Sequence, residues 1–83
     1  MSYLAALVAA QHGIAINTMY LIHTNGACET YAMIQYLPGD THYRFFKRAI
    51  DNVDHTKEDF GHESFTDQKD AHRRLMSAIE EES

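Results

Sequence analysis

The chain has 83 residues, 45% hydrophobic and 23% charged, with a formal net charge of −5 and a pI near 5.5, which is enough for one small domain and no more. The charge argues against a general electrostatic grip on DNA, RNA or an anionic membrane, all of which select basic surfaces, and favours a protein partner with a basic surface. A single cysteine, Cys28, excludes an intramolecular disulfide framework, so a reducing compartment, the cytoplasm, is expected.

Residues 2–12 are rich in helix formers, with Ser2 available as N-cap and Gly13 placed to end the helix; Leu4, Leu7 and Val8 fall on one side. The opening MSYLAALVAAQHGIA lacks the basic region of a signal peptide, and its apolar run is too short to span a bilayer. Thr18–Leu37 is then two apolar, aromatic and β-branched runs flanking Asn25-Gly26, the signature of a β-hairpin with a type I′ turn. That turn sets Tyr20 opposite Tyr31 and His23 opposite Cys28. One face then carries Tyr20, Ile22, Tyr31 and Met33, and the other Met19, Leu21, Ala32 and Ile34. Both are apolar and need cover, which points to a homo-oligomer with Tyr20, Ile22, Tyr31, Met33 and Tyr36 at the subunit interface. The rival is an all-α bundle in which Asn17 caps one helix, Gly26 ends it, and the next runs to Leu37.

After Pro38-Gly39, Asp40 or Thr41 is placed to cap a helix to about Val53, with Tyr43, Phe46, Ile50 and Val53 at spacings of three and four. Asp54–Ser64 is polar and contains Gly61, so it reads as a solvated loop. A last helix runs from Thr66 or Asp67 to about Glu80, with Ala71, Leu75 and Ile79 inward. The expected fold is α+β: an N-terminal helix, a hairpin turning at Asn25-Gly26, then two helices. Charge divides this single domain of residues 1–83. Residues 1–39 hold one charged side chain, Glu29, and form the core and interface half; residues 40–83 hold all the others.

Four constellations bear on chemistry. His12, His23, His42, His55, His62 and His72 are unusually many for the length, and His55, His62, Asp51, Asp54 and Glu63 crowd one region, but no zinc-site spacing occurs. Arg44, Lys47 and Arg48, with His42 and Tyr43, make the densest basic patch, suited to phosphate or a nucleotide if all lie on one helix. Glu58, Asp59, Glu63, Asp67 and Asp70, with Phe60 and Phe65 as anchors, give an acidic, aromatic surface able to occupy a basic groove. Cys28 beside His23 offers a thiol and a base without an oxyanion hole, so no catalytic residues, cofactor or metal are expected. The reading is a small, acidic, non-enzymatic binding protein: an inhibitor or regulator covering a larger machine, as virus- and phage-encoded antagonists of host defence do. A phosphate- or nucleotide-sequestering oligomer and a histidine-based metal protein are the alternatives.

Overall fold

The computed structural model describes residues 16–81. Within them the chain forms one antiparallel sheet of four strands in the order β1-β2-β3-β4. The strands are β1 (Tyr20–Asn25), β2 (Cys28–Gln35), β3 (Tyr43–Asp51) and β4 (Thr56–Phe65), and helix α1 (Gln68–Glu81) follows them. The helix covers one face, where Ile22, Ala32, Ile34 and Phe45 meet Ala71, Leu75, Ala78 and Ile79. This meander with a C-terminal helix replaces the expected order of helix, hairpin and two helices, and it replaces the all-α bundle as well. The expected N-terminal helix lies outside the described residues. No helix among those described is long and apolar enough to cross a membrane.

The hairpin is present, but its turn sits one residue later than Asn25-Gly26. Asn25 pairs with Cys28, leaving Gly26 and Ala27 as the loop. Gly26 has φ 61° and Ala27 has no positive φ, the pattern of a type II′ turn, where glycine takes the first central place. A one-residue slip in a sheet moves every side chain to the other face. Here the slip on β2 regroups the apolar residues, and a bulge between Leu21 and His23 adjusts β1. Tyr20, Ile22, Ala32 and Ile34 share the helix-covered face, while Met19, Leu21, Tyr31 and Met33 share the other. His23 pairs with Thr30 and not with Cys28.

Ahead of β1, Asn17 acts as a clamp, not a helix cap. Its backbone N–H donates to the Ile34 carbonyl at 2.6 Å, its Nδ2 donates to the Tyr36 carbonyl, and its Oδ1 accepts the Tyr36 N–H, both at 2.9 Å. A side-chain amide thus does for β2 what a further strand residue would do. Asparagine tolerates the required φ of 59° better than most residues.

The expected helix from Asp40 to Val53 is strand β3. Asp40 closes a turn instead: its Oδ2 accepts the Leu37 N–H at 2.9 Å and its own N–H donates to the Leu37 carbonyl at 3.0 Å. The stripe of Tyr43, Phe46, Ile50 and Val53 is dispersed, since Tyr43 packs against the core, Phe46 and Ile50 face away from it, and Val53 is 71% exposed in the next turn. YRFFKRAID carries large side chains on both faces of a central strand, and a short run of that kind does not distinguish helix from strand by periodicity. Pairing with β2 along eight consecutive residue pairs decided it.

The expected loop after Asp54 is strand β4, every residue of which but Phe65 is exposed. Polar, charged strands are typical of sheet edges, where charges and bulges discourage unwanted pairing. Phe45 pairs with Glu63 and Lys47 with Phe60, so Gly61 and His62 stand against Phe46 alone. Gly61, at φ 68°, supplies the left-handed residue of that bulge. Helix α1 agrees with its sequence. The Asp67 carboxylate caps it by accepting the Lys69 N–H at 2.8 Å, and Ala71, Leu75, Ala78 and Ile79 form the buried stripe.

Candidate interaction surface

Side chains alternate along a strand and antiparallel partners share a face, so the register defines the surface opposite the helix. Its two middle rows are Met19, Met33, Phe46 and His62, then Leu21, Tyr31, Arg48 and Asp59. Glu29, Ile50 and Lys57 border them at one end, and Gln35, Arg44 and Ser64 at the other. Arg48 anchors the middle. Its Nε donates to Asp59 Oδ1 at 2.7 Å and its Nη2 to Asp59 Oδ2 at 3.1 Å, a bidentate cross-strand pair. The guanidinium lies 5.6 Å from the centre of the Phe46 ring, and His62 stacks on that ring at 5.5 Å. These hydrogen bonds hold the Asp59 carboxyl below the usual carboxylate range and raise the pKa of Arg48. Burial, then the charge of Glu29, pushes the Tyr31 hydroxyl up. Phe46, Leu21, Met19 and Ile50 complete this face. Reading 43–51 with period two would have found the β3 members.

The five residues of the basic patch do not act together on a strand. Tyr43 and Lys47 point to the helix side, while Arg44 and Arg48 point away from it. Each cation is also compensated: Arg44 by Asp40 at 3.3 Å, Lys47 by Glu81 at 3.8 Å, and Arg48 by Asp59. His42 and Arg44 do line a common cleft of about 260 Å³ with Asp40, Thr41 and Ser64. The Asp40 carboxylate in its wall opposes an anion there.

The acidic and aromatic set follows β4 and the start of α1, with Glu58, Phe60 and Glu63 on the helix side of the strand and Asp59 on the opposite face. Glu63 accepts from Arg74 Nε at 2.6 Å, and Arg74 in turn lies 4.6 Å from the centre of the Phe45 ring. Asp70 pairs with Arg73 at 3.4 Å, and Asp67 is the helix cap. Glu58 makes neither a hydrogen bond nor an ion pair within the described residues. Phe60 is 39% exposed, whereas Phe65 packs against the core. Among the described residues, Glu58 and Phe60 are thus the members of the set without a polar or core partner.

Of the expected interface residues, Tyr20, Ile22 and Tyr36 belong to the helix side, with Tyr36 stacked on Tyr43 at 4.2 Å, and Tyr31 and Met33 to the other face. Among the described residues no group of three or more His, Cys, Asp and Glu side chains gathers in metal-binding geometry. Cys28 lies beside Asp51, whose charge raises the thiol pKa, so the sulfur is protonated at neutral pH and a poor nucleophile. Asp51 itself is lowered by the backbone N–H groups of Asp54 and Val53, which it accepts while closing the β3–β4 turn.

Comparison of the chain with protein-family models, with curated proteins and with solved structures finds no match to any of the three.

Proposed function

We propose that the chain is a small non-enzymatic binding protein, an inhibitor or regulator that covers a basic surface of a larger protein assembly with the side formed by β4 and the start of α1. The observation that carries this reading is β4 itself: nine of its ten residues are exposed, and they include Glu58, Asp59, Phe60 and Glu63. An aromatic side chain beside carboxylates on an exposed strand supplies both an apolar anchor and the charge that steers a basic partner to it. Arg48 and Arg74 hold Asp59 and Glu63 in place, so part of the surface is ordered before binding, which lowers the entropic cost of association. The phosphate or nucleotide alternative has weaker support, because β3 divides its residues between two faces and each cation has an acid beside it.

The reading is tested by retrieving proteins from a host lysate with the tagged chain. A stoichiometric protein partner is expected, released by salt and lost with Glu58→Lys or Phe60→Ala while the melting temperature stays close to that of the parent. Retention of the partner by both variants would overturn it.

A further inference from the structure

The chain has three asparagines, Asn17, Asn25 and Asn52, and the fold treats them differently. The Asn17 side chain is held through both its nitrogen and its oxygen by the backbone of Tyr36. Asn52 Nδ2 donates to the Ala27 carbonyl at 3.0 Å and to Glu29 Oε1 at 2.7 Å. Asn25 is exposed, and its side-chain amide makes no hydrogen bond among the described residues. It is also the one asparagine followed by glycine. Thr18 and Val53 follow the other two, and both are branched and bulky at Cβ.

The turn completes the arrangement. Gly26 takes its first central place with φ 61°, and the N–H of that residue points away from the paired strands. It donates to nothing among the described residues. A backbone N–H within the strand ladder would have to give up a hydrogen bond before its nitrogen could react. This one has none to lose. Glycine also presents no Cβ to crowd that nitrogen, and the space beside it is open, since a Cβ built there would meet nothing within 4 Å.

We propose that Asn25 is a site of spontaneous modification in the folded chain, its amide lost through a succinimide closed by the backbone nitrogen of Gly26. The Gly26 nitrogen attacks Asn25 Cγ, its proton passes by way of solvent to the departing amide nitrogen, and ammonia leaves. No oxidant or reductant takes part. Water then opens the ring. Attack at Cγ gives aspartate on the original backbone, whereas attack at the main-chain carbonyl gives isoaspartate, whose chain runs through the side chain and is longer by one carbon. Either product sets a new carboxylate in the row of Asn25, Cys28 and Asp51, where Asp51 is already negative. Only isoaspartate lengthens the turn. The Ala27 carbonyl accepts from both the N–H and Nδ2 of Asn52, so isoaspartate displaces the acceptor that ties the β1–β2 turn to the β3–β4 turn.

The test incubates the full chain at mildly alkaline pH, where the amide nitrogen loses its proton more readily, once in buffer and once in urea, and follows its peptides by mass. The Asn25 peptide is expected to gain the mass difference of acid over amide, and to divide into aspartate and isoaspartate forms, as fast in buffer as in urea. The Asn17 and Asn52 peptides should remain amides in buffer. An Asn25 amide that is retained in buffer, or lost there well behind the urea sample, would overturn the proposal. So would conversion of Asn17 or Asn52 in buffer at the rate of Asn25. Hydrogen exchange then separates the two products. The isolated isoaspartate form should exchange its Asn52 N–H faster than the parent, whereas Asn25→Asp, with its backbone unaltered, should keep the parent rate. Equal exchange in all three would overturn the effect assigned to the longer turn.

Discussion

Phe45 and Phe46 are neighbours in β3 and serve opposite faces of the same sheet. Phe45 is fully buried beneath α1, in a cluster with Ile34, Leu75 and Ile79. Phe46 is 5% exposed, with His62 stacked on its ring and the Arg48 guanidinium 5.6 Å from its centre. One face is sealed by complementary packing between two elements. The other is screened by long polar side chains from its own sheet, whose stems cover apolar surface while their heads stay in water. Low exposure alone therefore does not identify the core. What covers a residue decides how much stability rests on it and how readily the cover can be exchanged for a partner.

The largest test of that contrast is the pair of truncations. Phe45→Ala should cost about 3–5 kcal/mol, enough to unfold a marginal domain, because helix and sheet cannot close the cavity. Phe46→Ala should cost about half as much, since Arg48 and His62 can settle into the space. Urea denaturation of the two variants measures both, and equal losses would show that the second face is packed as tightly as the first. A smaller effect is expected at the helix cap: Asp67→Ala should lose about 1 kcal/mol, with faster amide exchange at the start of α1. This loosens the cover of one face and should leave the Arg48–Asp59 pair untouched, as the chemical shifts of that pair would report.

The smallest effect belongs to the other face. Arg48 holds Asp59 below the ordinary carboxylate range, so the native state releases this proton more readily than the unfolded chain does. The stabilisation is therefore complete above the unfolded carboxylate pKa of about 3.9 and is lost as pH falls through the lower folded value. Both side chains are partly exposed and screened by solvent. Asp59→Asn should accordingly cost roughly 0.5 kcal/mol near neutrality and nothing once the parent carboxyl is protonated. Urea midpoints of parent and variant should converge on acidification, and a gap that widened instead would mean that the pair is not what stabilises this edge.

Much of α1 was legible because a helix is specified locally. Asp67 supplies the cap, and Ala71, Leu75 and Ile79 repeat at a spacing that only a helix gathers on one side. The existence of the β1–β2 hairpin was legible for the same reason, since Gly26 at φ 61° satisfies a requirement of the turn itself. The identities of the acidic surface residues were legible too. The exposure of Glu58, Asp59 and Glu63 follows from their charge whatever the element that displays them.

Strand pairing was not legible in the same way. Whether YRFFKRAID is helix or strand depends on whether partners stand on both sides of it, and those partners are β2 and a β4 that looks like loop when read alone. The register of the hairpin turned on one residue at Gly26-Ala27, and that residue exchanged the faces of Tyr31 and Ala32. The same non-local pairing separated Arg44 from Lys47 and joined Arg48 to Asp59, eleven positions away. The C-terminal helix and the place of glycine in the first hairpin turn were set by interactions within a few residues, and the unequal charge of the two halves is a matter of composition. Which apolar face is sealed, and that β1 and β4 stand at the edges of the described sheet, follow from hydrogen bonding between strands, which is settled by neighbours in space.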